Sequence, residues 1–120
     1  MTKEDFVKKW KNIFGKELAD TYNYLWEVFY LKDKKDFLYG VAAKSEFGKI
    51  EKTDAICIQM FFDDNVTVFN EKEFDDIYDL NNEGIYPELF VVGKDWSWSY
   101  VCPHESNDDV DGPFFIYKNK

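Results

Sequence analysis

The sequence predicts an α+β fold: N-terminal helices packed on a mainly antiparallel sheet of about five strands, with one helix inserted between strands. Three observations carry this. Apolar residues recur at helical spacing through the first third of the chain, and at strand spacing after residue 55. The three prolines, Pro87, Pro103 and Pro113, all fall late, where they punctuate short strands. Aromatic residues make up 20% of 120 residues, enough to give residues 1–120 a single-domain core without metal or disulfide staples.

The elements follow in order. Thr2 can cap a first helix, with Asp5 three residues on as an approximate capping box. Phe6, Trp10, Ile13 and Phe14 then keep helical spacing, and Gly15 suits the stop. A second helix is predicted over residues 16–31, because Leu18, Tyr22, Leu25, Trp26 and Phe29 form one face. Residues 32–35, Lys-Asp-Lys-Lys, break the pattern and read as a solvated turn. A shorter helix is expected near residues 41–47, ending at Gly48.

Residues 55–62 read as a strand with Ile56, Ile58, Met60 and Phe62 on one face. Its other face is also largely apolar, so the strand is predicted to be central. Asp63-Asp64-Asn65 turns the chain into a return strand, 66–69. Asn70 caps the inserted helix, with Glu73 at the third position and Phe69 stapled to Phe74; this helix runs to Leu80. Strands are then expected at 89–92, 96–102 and 114–117. Pro103 ends the second of these and holds Cys102 extended.

Charge divides the chain. Residues 1–60 carry 11 lysines and 10 acids; residues 61–120 carry 4 lysines and 14 acids, within a net charge of −9. All the basic residues are lysines, so no guanidinium fork is present for phosphate or guanine. An acidic half repels nucleic acid and anionic lipid and attracts basic proteins. The opening MTKEDF lacks an apolar signal region, and no run reaches the length of a membrane span. A cytoplasmic location with two reduced thiols is the expectation.

Four groupings could carry chemistry. Trp96, Trp98 and Tyr100 alternate with Ser97 and Ser99, which in a strand puts three aromatics on one face. Against the helices they are core; uncovered, they form a platform for a partner or a second copy. Cys102, His104 and Glu105 could serve a metal or a thiolate, but zinc needs four ligands, or three and water. With one histidine, Cys57 or carboxylates would have to converge on the site by folding. The favoured role for His104 is structural, pinning a corner with Glu105, Gly112 and Pro113. Asn107 to Gly112 imitates the first half of a calcium loop, but Lys118 stands where the closing glutamate belongs. Asp75, Asp76 and Asp79 crowd the outer side of the inserted helix. Sequence motifs for nucleotide-binding loops, zinc proteases and serine hydrolases are missing.

Two segments, LWEVFY at 25–30 and LFVVGKDWSWSYVCPHE…DGPFF at 89–115, resemble a bacterial family of small proteins, the domain of unknown function 4275. Trp26, Phe29, Asp95, Trp98, Tyr100, His104, Glu105, Gly112, Pro113 and Phe114 fit its pattern. Cys102-Pro103 before His104 and the acidic run Asn107 to Asp111 depart from it. The resemblance implies an α+β fold and a cytosolic bacterial origin, and supplies no mechanism.

The functional expectation is a non-enzymatic acidic binding module, similar to immunity proteins and antitoxins, sequestering a basic partner such as a nuclease toxin. It is expected as a monomer or weak homodimer, with no cofactor, no metal and no catalytic residue. Asp75, Asp76, Asp79, Trp96, Trp98, Asp108, Asp109 and Asp111 are the candidate partner-binding residues. The alternative is a small metal-assisted or ligand-binding enzyme using Cys102, His104 and Glu105.

Overall fold

A single six-stranded antiparallel sheet runs through the centre of the protein, in the order β1-β6-β5-β4-β2-β3. The structure is a computed structural model and describes residues 1–79, 87–104 and 112–118. The strands are β1 Leu38–Tyr39, β2 Ile56–Gln59, β3 Thr67–Val68, β4 Leu89–Val92, β5 Trp98–Cys102 and β6 Phe114–Tyr117. Among the described residues three α-helices accompany them: α1 Lys3–Phe14, α2 Val41–Lys49 and α3 Glu71–Asp79. The α+β class holds, and the strand beyond the expected five is β1, two residues pairing with β6 at one edge.

Both sheet faces are covered. On the first, Phe6, Trp10 and Phe14 of α1, with Trp26 and Phe29, pack on Ile58, Phe90, Val101 and Phe114. On the second, Ala43 and Phe47 of α2 and Phe74 of α3 pack on Val91, Trp98, Tyr100, Cys102 and Phe115. This explains why β4 and β5 are buried at every residue, an unusual pattern for antiparallel strands.

Caps behave as the residue types dictate. Thr2 Oγ1 accepts from Asp5 N at 3.1 Å, and Asn70 Oδ1 accepts from Glu73 N at 3.1 Å. The Phe69 and Phe74 rings stand 5.5 Å apart, giving the expected staple. Gly15 ends α1 without a left-handed turn, at φ −122°.

Three expectations need correction. The helix expected over 16–31 is present only as a 3-10 helix, Leu25–Tyr30. Asp20, Thr21 and Asn23 favour turns over helix interiors, and Glu27 Oε1 accepts from Tyr24 N at 3.0 Å, starting the helix late. The predicted apolar face is still inward, with Leu18, Leu25, Trp26 and Phe29 buried. β2 is shorter than expected, because Asp63 Oδ2 accepts from Gln59 N at 2.9 Å and closes a turn. Phe62 is therefore exposed rather than aligned with Met60. The third correction concerns Trp96. It lies in the turn before β5 at φ 60°, and Asp95 Oδ1 accepts from Ser97 N at 3.1 Å to hold that turn. The left-handed residue breaks strand alternation, so Trp96 points to the first face, against Phe6, while Trp98 and Tyr100 point to the second.

Candidate functional site

A buried carboxylate organises the corner where β4 begins and β5 ends. Glu88, just before β4, is 3% exposed. Its Oε1 accepts from the Trp26 indole Nε1 at 2.6 Å and meets His104 Nδ1 at 2.9 Å. An indole nitrogen only donates, so Oε1 accepts from Trp26, and when Glu88 is a carboxylate it accepts from His104 Nδ1–H as well. Around it the Tyr24 ring stacks on Trp26 at 5.6 Å and meets His104 at 4.6 Å, while Phe61 approaches His104 at 5.2 Å. Fold geometry brings these residues together. The 3-10 helix presents Trp26, the turn after β2 supplies Phe61, and Pro103 stops β5 so that His104 leaves the sheet.

Elsewhere in the core, Ser99 is fully buried; it accepts from the Trp10 indole at 2.9 Å and donates to the Val91 carbonyl at 3.0 Å. Each tryptophan donor from the first-face helices thus finds an acceptor on the sheet side.

The Cys102–His104 pairing is corrected by this geometry. Cys102 is buried in the second-face core, whereas His104 packs among first-face aromatics. Residues two apart on a strand share a face, but Pro103 breaks that alternation. Burial pushes the Cys102 thiol up to about 12, so it stays protonated and is no nucleophile. Cys57 is a free thiol on the far side of β4, two strands from Cys102. Burial, with the nearby Asp63 and Glu73 charges, raises its pKa, while a contact with Thr67 Oγ1 at 3.4 Å opposes the rise. Among the described residues, no three His, Cys, Asp or Glu side chains are grouped to hold a metal ion.

The other candidates separate. Trp96 and Trp98 are buried, so neither presents a platform, and Tyr100 is buried with them. Asp75 and Asp76 are exposed on α3, and Asp76 accepts from Lys72 Nζ at 2.9 Å. Asp79 is the last residue of α3. Glu105, Asp108, Asp109 and Asp111, and with them the half-calcium-loop reading, lie outside the described residues. Gly112 packs directly on Pro103, where an added Cβ would stand 2.9 Å from the ring carbons. Pro113 is buried beside it, so this side of the expected corner closes on Pro103. Glu88 was not anticipated. A lone histidine following a Pro-ended strand was the only hint that a carboxylate partner should exist.

The family model described as Domain of unknown function (DUF4275) matches residues 3–115. The chain belongs to this family. The DUF4275 match covers both the helical first third and the Trp98-to-Phe114 segment, so the Trp26–Glu88–His104 corner falls wholly within the family domain. No curated protein and no solved structure matches the chain. Among the described residues of this DUF4275 protein, no helix is long and apolar enough to cross a membrane.

Proposed function

We propose that the protein is an acidic, non-enzymatic binding module, immunity-protein or antitoxin-like, that sequesters a basic protein such as a nuclease toxin. The observation that supports this is α3. Its outer surface carries Glu71, Glu73, Asp75 and Asp76, all exposed, with Lys72 the single lysine among them. Its inner side is anchored by Phe74, so the carboxylates ride on a packed, fixed element. Such a surface steers a cationic partner and gives fast, salt-sensitive association. Asp108, Asp109 and Asp111 add charge of the same sign in this half of the chain.

The alternative enzyme reading loses its thiol, because Cys102 is buried and faces away from His104. The test is affinity capture from the native host at low and high salt, read by mass spectrometry. A basic protein retained at low salt and released at high salt is expected. Capture of no basic protein at low salt would sink the reading. A partner in the acidic site should be lost when Asp75 and Asp76 are changed to Asn.

A further inference from the structure

A cleft opens on the second sheet face, between the β2–β3 hairpin and α3. Its apolar walls are Leu89 of β4 and Phe74 and Ile77 of α3. Cys57 and Gln59 of β2 and Thr67 of β3 add neutral polar groups. Two carboxylates complete it, Asp63 from the turn after β2 and Glu73 from the first turn of α3. The cleft is about 70 Å³, and a single water needs about 10–15 Å³, so it takes a chain of about five non-hydrogen atoms. Recesses with apolar walls and a few fixed polar groups are where small ligands bind.

The lining selects the ligand. Asp63 Oδ2 accepts from Gln59 N at 2.9 Å, which fixes this carboxylate at the cleft. A carboxylate has about four acceptor sites, so one such bond leaves it able to take another donor. Asn70 Oδ1 accepts from Glu73 N at 3.1 Å and fixes the backbone that carries Glu73. Burial, then the Asp63 and Glu73 charges, raise the pKa of the Cys57 thiol, so the thiol stays neutral and the cleft is negative. The positive pole of α3 lies at this end, but its roughly half a unit charge does not offset two carboxylates. A metal ion is a poor match, because among the described residues no three His, Cys, Asp or Glu side chains are grouped to hold one. An ammonium asks only for hydrogen-bond acceptors, and the Gln59 and Thr67 oxygens serve beside the carboxylates. We propose that this cleft receives a primary ammonium on an unbranched alkyl stem, the side chain of a lysine on the partner. Its methylenes lie against Phe74, Ile77 and Leu89, and its ammonium faces Asp63 and Glu73. This rests on the binding-module reading above and gives that module one specific anchor.

The test uses the full chain, amide chemical shifts at pH 7 and three probes: n-butylamine, which is the lysine side chain alone, 1-butanol as its uncharged counterpart, and lysine capped at both ends. Butylamine and capped lysine are expected to bind in the millimolar range, with shifts centred on residues 57–59, 67 and 73–77. Butanol should bind at least about tenfold more weakly. Glu73→Gln and Asp63→Asn should each weaken butylamine about 3–10-fold and leave butanol unchanged. Should Asp63→Asn loosen the turn and melt early, Glu73→Gln, at an exposed helix position, carries the comparison. Butanol binding as tightly as butylamine would overturn the ammonium site. Butylamine binding without capped lysine would assign the cleft to a free amine and overturn the lysine anchor. Binding of neither amine would overturn the cleft, and capture of a basic protein lost on changing Asp75 and Asp76 would then leave the acidic module standing without it.

Discussion

Replacing His104 with alanine tests whether the corner holds the fold. The side chain supplies one hydrogen bond at 2.9 Å to a carboxylate that is 3% exposed, and ring contacts at 4.6 Å with Tyr24 and 5.2 Å with Phe61. A hydrogen bond to a charged group contributes about 1.5–3 kcal/mol, and an aromatic pair about 0.5–1.5 kcal/mol. The Trp26 indole keeps donating to the same oxygen, so Glu88 is not left without a partner. The low ends of those ranges therefore apply, and His104→Ala should cost about 2–3 kcal/mol. For a chain of this length that lowers the melting temperature by roughly 8–12 °C. Urea unfolding with an unchanged slope is the assay. Adding Glu88→Gln completes a double-mutant cycle whose coupling should reach about 1 kcal/mol. A loss below about 0.5 kcal/mol, or zero coupling, would refute the pinning role.

Further outcomes follow from particular contacts. Gly93→Ala places a Cβ 2.4 Å from Trp98 Nε1, and calorimetry should show a loss of about 1–3 kcal/mol or more from overpacking. Asn70→Ala removes the cap of α3 and should cost about 1 kcal/mol by urea titration. In thiol labelling at pH 8, Cys57 should react slowly and Cys102 only at the rate of unfolding. Two fast thiols would contradict the burial. Burial raises the Cys102 thiol and the Tyr117 hydroxyl to about 12 from 9.0 and 10.0, and Glu46 adds to the rise at Tyr117. Both are neutral when protonated, so the unfolded chain loses these protons first. Their stabilisation is complete below pH 9 and is lost as pH climbs toward 12. Urea midpoints should fall across that window, less steeply in Tyr117→Phe; a flat profile would contradict the assignment.

Apolar spacing located the core better than it located the helices. Leu18, Tyr22, Leu25, Trp26 and Phe29 read as one inward face; four of the five are buried and Tyr22 is half-buried against the same core, although most of 16–31 is not helical. Burial pattern survives a change of backbone, because a 3-10 turn and an α turn present similar residues inward. Local chemistry was legible wherever it was self-contained, as at the Thr2 and Asn70 caps. Trp96 was misread because a left-handed tryptophan has no sequence signature. The Glu88 corner was hidden for a different reason. Its bonds join residues 16 and 62 positions apart, and only the packing of the 3-10 helix across the sheet brings them together. β1, at two residues, was below any useful periodicity.

The acids of α3 pose a question that stability and binding answer together. Glu71 and Glu73 lie in the first turn, where negative charge opposes nothing and complements the helix dipole. Asp79 is the last residue of α3, in a turn that has no basic residue and lies at the negative end of the helix dipole. A helix selected for stability alone would carry lysine there. Asp79→Asn should therefore raise stability by about 0.3–1 kcal/mol at low salt, with the gain shrinking as salt is added. If the charge serves a cationic partner, the same substitution weakens capture of the basic protein and slows its association. The pair of readouts discriminates where either alone does not. A stabilised variant that captures the partner undiminished marks Asp79 as surface drift and confines the binding surface to the first turns of α3. A stabilised variant with slower association marks a charge retained at a cost to the fold because the partner requires it.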